Sequence, residues 1–136
     1  MAMEVVTPLR FQIATVMDVV KARRQGMDMA LAIGFPRPEA TKIAVVISEL
    51  GRNIVLYTQG GMINLIPYTG AKAGVKIIAQ DRGPGIENVD AALSGGYTTS
   101  KGLGLGLSGS KNIMDEFDVQ SIAGVGTKIT GVKWLR

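Results

Sequence analysis

Between Pro38 and Tyr57 the apolar residues Ile43, Ile47, Leu50 and Ile54 recur at helical spacing, so a helix there carries one apolar stripe suited to lie on a sheet. Pro38 suits the first turn of that helix, and Gly60 and Gly61 break the chain beyond it. An extended start up to about Ile13 leads into an earlier helix, about Thr15 to Ile33, with Gly34 placed to end it. After the glycine pair the chain reads as two strands, about Met62 to Tyr68 and Val75 to Gln80, joined by a loop containing Gly70 and Gly74. Pro67 predicts that the first of these ends early or lies at an edge. A short helix near Val89 to Leu93, the loop GGYTTSKGLG and a helix from about Gly104 to Glu116 follow. Two strands, about Phe117 to Ile122 and Thr127 to Trp134, are connected by AGVG.

This order, with a further strand possible at the N-terminus, favours a two-layer α/β (α+β) sandwich: a mixed, mostly antiparallel sheet with helices on one face. Strict alternation of strand and helix is missing, which argues against a doubly wound fold. No repeat, low-complexity tract or linker divides the 136 residues, so residues 1–136 read as one domain.

Composition narrows the chemistry. The chain has no cysteine and no histidine, which excludes disulfides, thiolate metal sites and imidazole bases and leaves carboxylates or lysines as proton acceptors. No apolar run approaches the ~20 residues of a membrane span, and the start lacks a signal-peptide layout, so the expected location is the cytoplasm, without a membrane partner. The net charge of +4 is spread along the chain without interleaved aromatics, which argues against nucleic acid. Phosphates of a small ligand or an acidic protein partner account for it equally well.

Three short motifs carry candidate chemistry. Glu49 and Asn53 project together from the rim of the apolar stripe, a carboxylate and a carboxamide able to take up a proton and bind a hard cation such as Mg²⁺. The same spacing also suits a solvated pair. Arg52 falls nearly opposite the stripe and reads first as solvent-facing, while Gly51 in mid-helix implies either a close neighbouring backbone or a tolerated loss. Asp81-Arg82-Gly83-Pro84-Gly85-Ile86 follows a strand; Asp81 can accept from an exocyclic amino group, and Gly83 and Gly85 let backbone approach a flat ring, or the segment is a surface turn. Gly102-Leu103-Gly104-Leu105-Gly106 leads into a helix whose N-terminal amides favour phosphate. Gly104, Gly106 and Gly109 match a dinucleotide spacing but lack its preceding strand and later acid, and no Walker A pattern occurs. Thr98, Thr99, Ser100 and Lys101 offer hydroxyls and an ammonium for a phosphate-covering lid, or form a simple polar loop; Thr127 after Gly124 and Gly126 can return a hydroxyl to the same pocket, although a hairpin turn explains those glycines equally well.

Taken in order along the chain, ExxxN on a helix, DxGxG after a strand, GxGxG before a helix and GxGT before the last strand resemble the GHKL superfamily of ATPases and kinases. The wording SELGRN, DRGPGI, GLGLGLSG, MDEF and KWLR is most similar to its stressosome switch serine/threonine kinases. The resemblance implies ATP and Mg²⁺ as cofactors, Glu49 as base toward an acceptor hydroxyl, Asn53 as Mg²⁺ ligand and Asp81 as the adenine amino contact. It implies backbone contacts to nucleotide from Gly83, Gly85, Gly104 and Gly106, with Thr127 at the adenine end. Ile86, Thr99, Ser100, Lys101, Gly102, Leu103 and Leu105 complete the nucleotide-binding set. The implied partners are STAS-domain stressosome proteins as substrates and a phosphatase-like or other output regulator. An anti-sigma-factor kinase and a non-catalytic ATP-dependent binding module are the alternatives.

Overall fold

The computed structural model describes residues 6–86, 89, 93 and 103–136, the side chains of 103–105 excepted. The elements run β1 (Leu9–Ile13), α1 (Val16–Ile33), α2 (Arg37–Tyr57), β2 (Gly61–Thr69), β3 (Ala73–Asp81), α3 (Leu103–Ile113), β4 (Glu116–Ile122) and β5 (Gly126–Trp134). The strands form one sheet in the order β1-β2-β3-β5-β4, and every pairing is antiparallel. Helices α1 and α2 lie on the β1–β3 side of the sheet, α1 packs on α2, and α2 packs on α3. This is the expected two-layer sandwich, with the N-terminal strand present as an edge. The short helix expected near Val89 to Leu93 and the lid lie mostly outside the described residues.

The α2 stripe behaves as its spacing predicts: Ile43, Ile47, Leu50 and Ile54 are all buried. Each such side chain contributes about 1.5–3 kcal/mol by leaving water. They meet Phe11, Ile13, Ile63, Leu65, Val75, Ile77, Ala79 and Ile129, the inward-facing residues of four strands, in a single core.

Two glycines set how closely the helices approach. A Cβ at Gly51 would stand 2.9 Å from Val19 Cγ1, and one at Gly26 would overlap Ile47 Cδ1, so each helix seats a branched side chain over a glycine of the other. The close neighbour of Gly51 is therefore a side chain of α1 and not a backbone.

Strand ends depart from the sequence reading by a residue or two, and Gly74 lies within β3 and not in the preceding loop. A Cβ there would stand 2.5 Å from Lys133 O on β5, which explains a glycine inside a strand. Pro67 does not end β2, which continues to Thr69. It falls beyond Leu65, the last β2 residue paired with β1, so β2 is locally an edge where a missing N–H can be accommodated.

Helix α1 begins with a reciprocal cap. Thr15 Oγ1 accepts from Asp18 N at 3.3 Å, and Asp18 Oδ2 accepts from Ala14 N and Thr15 N at 2.9 Å each. The N–H of Ala14, then that of Thr15, holds the Asp18 carboxyl below its ordinary value of 3.8. A depressed folded pKa stabilises above the unfolded value and is lost as pH falls through the folded one.

Two stability outcomes follow. Gly51→Ala should destabilise by about 1 kcal/mol, because overpacking of ~1–3 kcal/mol outweighs a helix-propensity gain of up to ~1 kcal/mol; urea melts should show Val19→Ala in the same chain recovering part of it. The stability gap between the parent and Asp18→Ala should be widest at neutral pH and narrow as the pH of the melts is lowered below 3.8.

Candidate active site

Antiparallel register sets Ile13, Gly61, Asp81, Thr127 and Ser121 in one row across the five strands. The row faces the helices, because its members lie two residues along each strand from Phe11, Ile63, Ala79, Ile129 and Val119 in the core. Inward side chains are apolar in that neighbouring row but carry oxygens at Asp81, Thr127 and Ser121. A cavity of about 180 Å³ opens there, lined by Asn53, Tyr57 and Thr58 from the end of α2, Asp81, Pro84, Gly85 and Ile86 from the turn after β3, Leu107 of α3, and Thr127 and Ile129 of β5.

The turn 81–86 is clasped from both sides. Asp81 Oδ1 accepts from Gly83 N at 2.8 Å, and Oδ2 has no partner among the described residues. Gly83 lies against Thr58, where a Cβ would come within 2.6 Å of the threonine methyl carbon. Gly85 has φ 82°, a conformation that favours glycine, and its Cβ would meet Ile122 O at 2.8 Å. Ile86 N donates to Ser121 Oγ at 2.6 Å, Ser121 Oγ lies 3.1 Å from Thr127 Oγ1, and Gly124 N donates to Pro84 O at 2.9 Å. Thus the AGVG segment is both a hairpin turn and a brace for the DRGPGI turn.

Beside the cavity, α2 presents Glu49 and Asn53 to α3. A Cβ at Gly106 would stand 3.0 Å from Glu49 Oε2 and 3.7 Å from Asn53 Nδ2, so the absence of a side chain at Gly106 lets α3 pack over both. Arg52, read first as solvent-facing, is exposed but also places Nη1 3.6 Å from Glu49 Oε1. A pair this open to water is worth at most about 1 kcal/mol.

The structure therefore brings together Glu49, Asn53, Asp81, Gly83, Gly85, Ile86, Gly106 and Thr127, drawn from every motif of the sequence reading. Leu103, Gly104 and Leu105 form the first turn of α3, and Thr99, Ser100, Lys101 and Gly102 lie outside the described residues. Sequence reasoning missed Tyr57, Thr58, Leu107, Ile129 and Ser121. Ser121 had a signal: Phe117, Val119 and Ser121 alternate along one strand face, and a hydroxyl there replaces an apolar side chain.

Among the described residues no three acidic, histidine or cysteine side chains cluster to hold a metal. The Asn53 carboxamide fits a Mg²⁺ that arrives mainly ligated by phosphates and water, the usual habit of that ion.

The chain belongs to the histidine kinase-like ATPase domain family, whose model matches residues 13–133. Among curated relatives it is 45% identical over 126 residues to the serine/threonine-protein kinase RsbT of Bacillus subtilis (strain 168), covering 92% of this chain and 95% of that one. It is 35% identical over 103 residues to the anti-sigma F factor of Bacillus cereus (strain G9842), covering 71% and 70%. The anti-sigma F factor of Bacillus mycoides (strain KBAB4) is 34% identical over the same coverage. Among the described residues no helix is long and apolar enough to cross a membrane.

Removing the Ser121 hydroxyl should loosen the pocket without opening it. Ser121→Ala should raise the ATP dissociation constant about five- to thirtyfold in calorimetry, the effect of one or two hydrogen bonds at ~1 kcal/mol each.

Proposed function

We propose that this chain is an ATP-dependent protein-serine/threonine kinase that transfers the γ-phosphoryl group to hydroxyls of STAS-domain stressosome proteins, both scaffold and co-antagonist. On release it engages a phosphatase-like or other output regulator, and it works in the cytoplasm. The observation that carries the reading is the meeting of Glu49 and Asn53 with Gly106 of α3, beside the cavity that holds Asp81 and Thr127. Identity of 45% to a serine/threonine-protein kinase over nearly the whole chain supports it.

In this reading the free Oδ2 of Asp81 accepts the adenine amino group, the turn at Gly83 and Gly85 closes on the ring, and Thr127 supports it from β5. The triphosphate runs toward the N-terminal turn of α3, where the helix dipole favours negative charge. Asn53 would hold Mg²⁺, which supplies charge neutralisation on the phosphates. Glu49 orients the acceptor hydroxyl in line with the γ-phosphorus and accepts its proton as the new P–O bond forms. The bond to the bridging β–γ oxygen breaks, and its electron pair leaves on ADP.

Glu49→Gln should retain ATP binding and lower the transfer rate by about 10²–10⁴-fold, the usual contribution of a positioned base. Asp81→Asn should instead weaken ATP binding by about ten- to a hundredfold, as loss of a hydrogen bond to a charged acceptor predicts. Incubation with Mg·ATP and a STAS-domain acceptor, followed by mass spectrometry, should find one added phosphoryl group on a serine or threonine. An acceptor that stays bound but unmodified would establish the non-catalytic module instead.

A further inference from the structure

The sheet face that the helices leave open carries a second cleft, of about 590 Å³, at the same end of the sheet. Its lining includes Arg10, Gln12, Gln59, Met62, Gln80 and Arg82, together with Asp81. Register explains the composition: Gln12, Met62, Gln80, Lys128 and Gln120 form one row across all five strands, with their side chains opposite the core. Arg10 lies two residues along β1 from Gln12, and Arg82 directly follows β3.

These groups are left without internal partners. Among the described residues Arg82 and Lys128 enter no ion pair, the carboxamides of Gln12, Gln59 and Gln80 make no hydrogen bond, and Arg10 donates only to Met62 Sδ, at 2.8 Å. One carboxylate, Asp81, shares the lining and accepts from Gly83 N through Oδ1, while Asp18 nearby caps α1 through Ala14 N and Thr15 N. The cleft thus sets two arginines against one carboxylate, a positive excess, beside amide groups that can both donate and accept.

We propose that this cleft docks an acidic segment of a protein partner, whose carboxylates meet Arg10 and Arg82 in the cleft and Lys128 beside it, while its backbone bonds to the glutamines. No aromatic side chain lines the cleft, so it lacks the stacking platform that single-stranded nucleic acid uses. A second copy docked cleft to cleft would oppose like charges. The proposal rests on charge and geometry of the open face and is independent of the kinase reading.

The test uses the nucleotide-free, ¹⁵N-labelled chain titrated with a hexaglutamate peptide at low ionic strength. Shift changes should concentrate at Gln12, Gln59, Gln80 and Arg82 and fade as salt is added. Arg10→Glu combined with Arg82→Glu should weaken binding about tenfold or more, while Arg23→Glu with Arg24→Glu on exposed α1 positions should change it less than about twofold. Arg82→Gln, which removes the charge without reversing it, should give an intermediate loss. Shift changes spread over α1, or binding unaltered by Arg82→Gln, would overturn the proposal. So would tighter binding of a thymidine hexanucleotide at the cleft, or a dimer in sedimentation that Arg82→Gln dissociates.

Discussion

A single row of the antiparallel ladder decides where this fold can do chemistry. Ile13, Gly61, Asp81, Thr127 and Ser121 stand side by side at one end of the sheet, facing the helices. The next two rows inward, through Phe11 and Leu9, are wholly apolar, and their β1–β3 members lie under α1 and α2. Oxygen-bearing side chains therefore appear where the core gives out, and the turn after β3 begins there. A slip of one residue between β3 and β5 would send Thr127 to the open face and bury Lys128. The apolar pattern that forbids that slip is thus also what assembles the pocket.

Helix α2 brings the second half of the site, and its placement is a packing matter. The Gly26–Ile47 and Gly51–Val19 contacts let α1 and α2 lie close together, and the buried stripe fixes the rotation of α2 over the sheet. Glu49 and Asn53 take no part in that packing, so they are carried to the rim as passengers of a rigid element. Gly106 then lets α3 cover them. Rigid helix, rigid row and glycine contacts give a site whose parts come from segments far apart in the chain yet need little local adjustment. The open side of the same sheet end is polar and positively charged, so the two faces of one strand terminus serve different chemistry.

Helices were the most legible part of the sequence, because an apolar stripe over twenty residues has one geometric meaning. The strands were legible as elements, but their neighbours were not, since the order β1-β2-β3-β5-β4 depends on long-range pairing that no local pattern states. The same limit explains the misses. Pro67 disfavours an interior strand, and nothing nearby in the sequence tells that β1 has already ended beside it. Gly74 looks like a loop residue until β5 is placed against it. Candidate residues that sit in glycine-rich or helical motifs, such as Asp81 and Asn53, stood out from spacing and from the family resemblance. Ser121 and Thr58 were not singled out, since they act by bracing a turn across strands and a helix end. The open-face cleft was invisible for the same reason, as Gln12, Gln80 and Lys128 become neighbours only through register.

The central claim is that one purine triphosphate spans the row end and the α2–α3 junction. A crystal structure with a non-hydrolysable ATP analogue and Mg²⁺ tests it most directly. The account predicts the adenine amino group within hydrogen-bonding distance of Asp81 Oδ2 and the metal on Asn53, with the γ-phosphate nearest Glu49. An analogue bound on the open face, or a base seated away from Asp81, would contradict it.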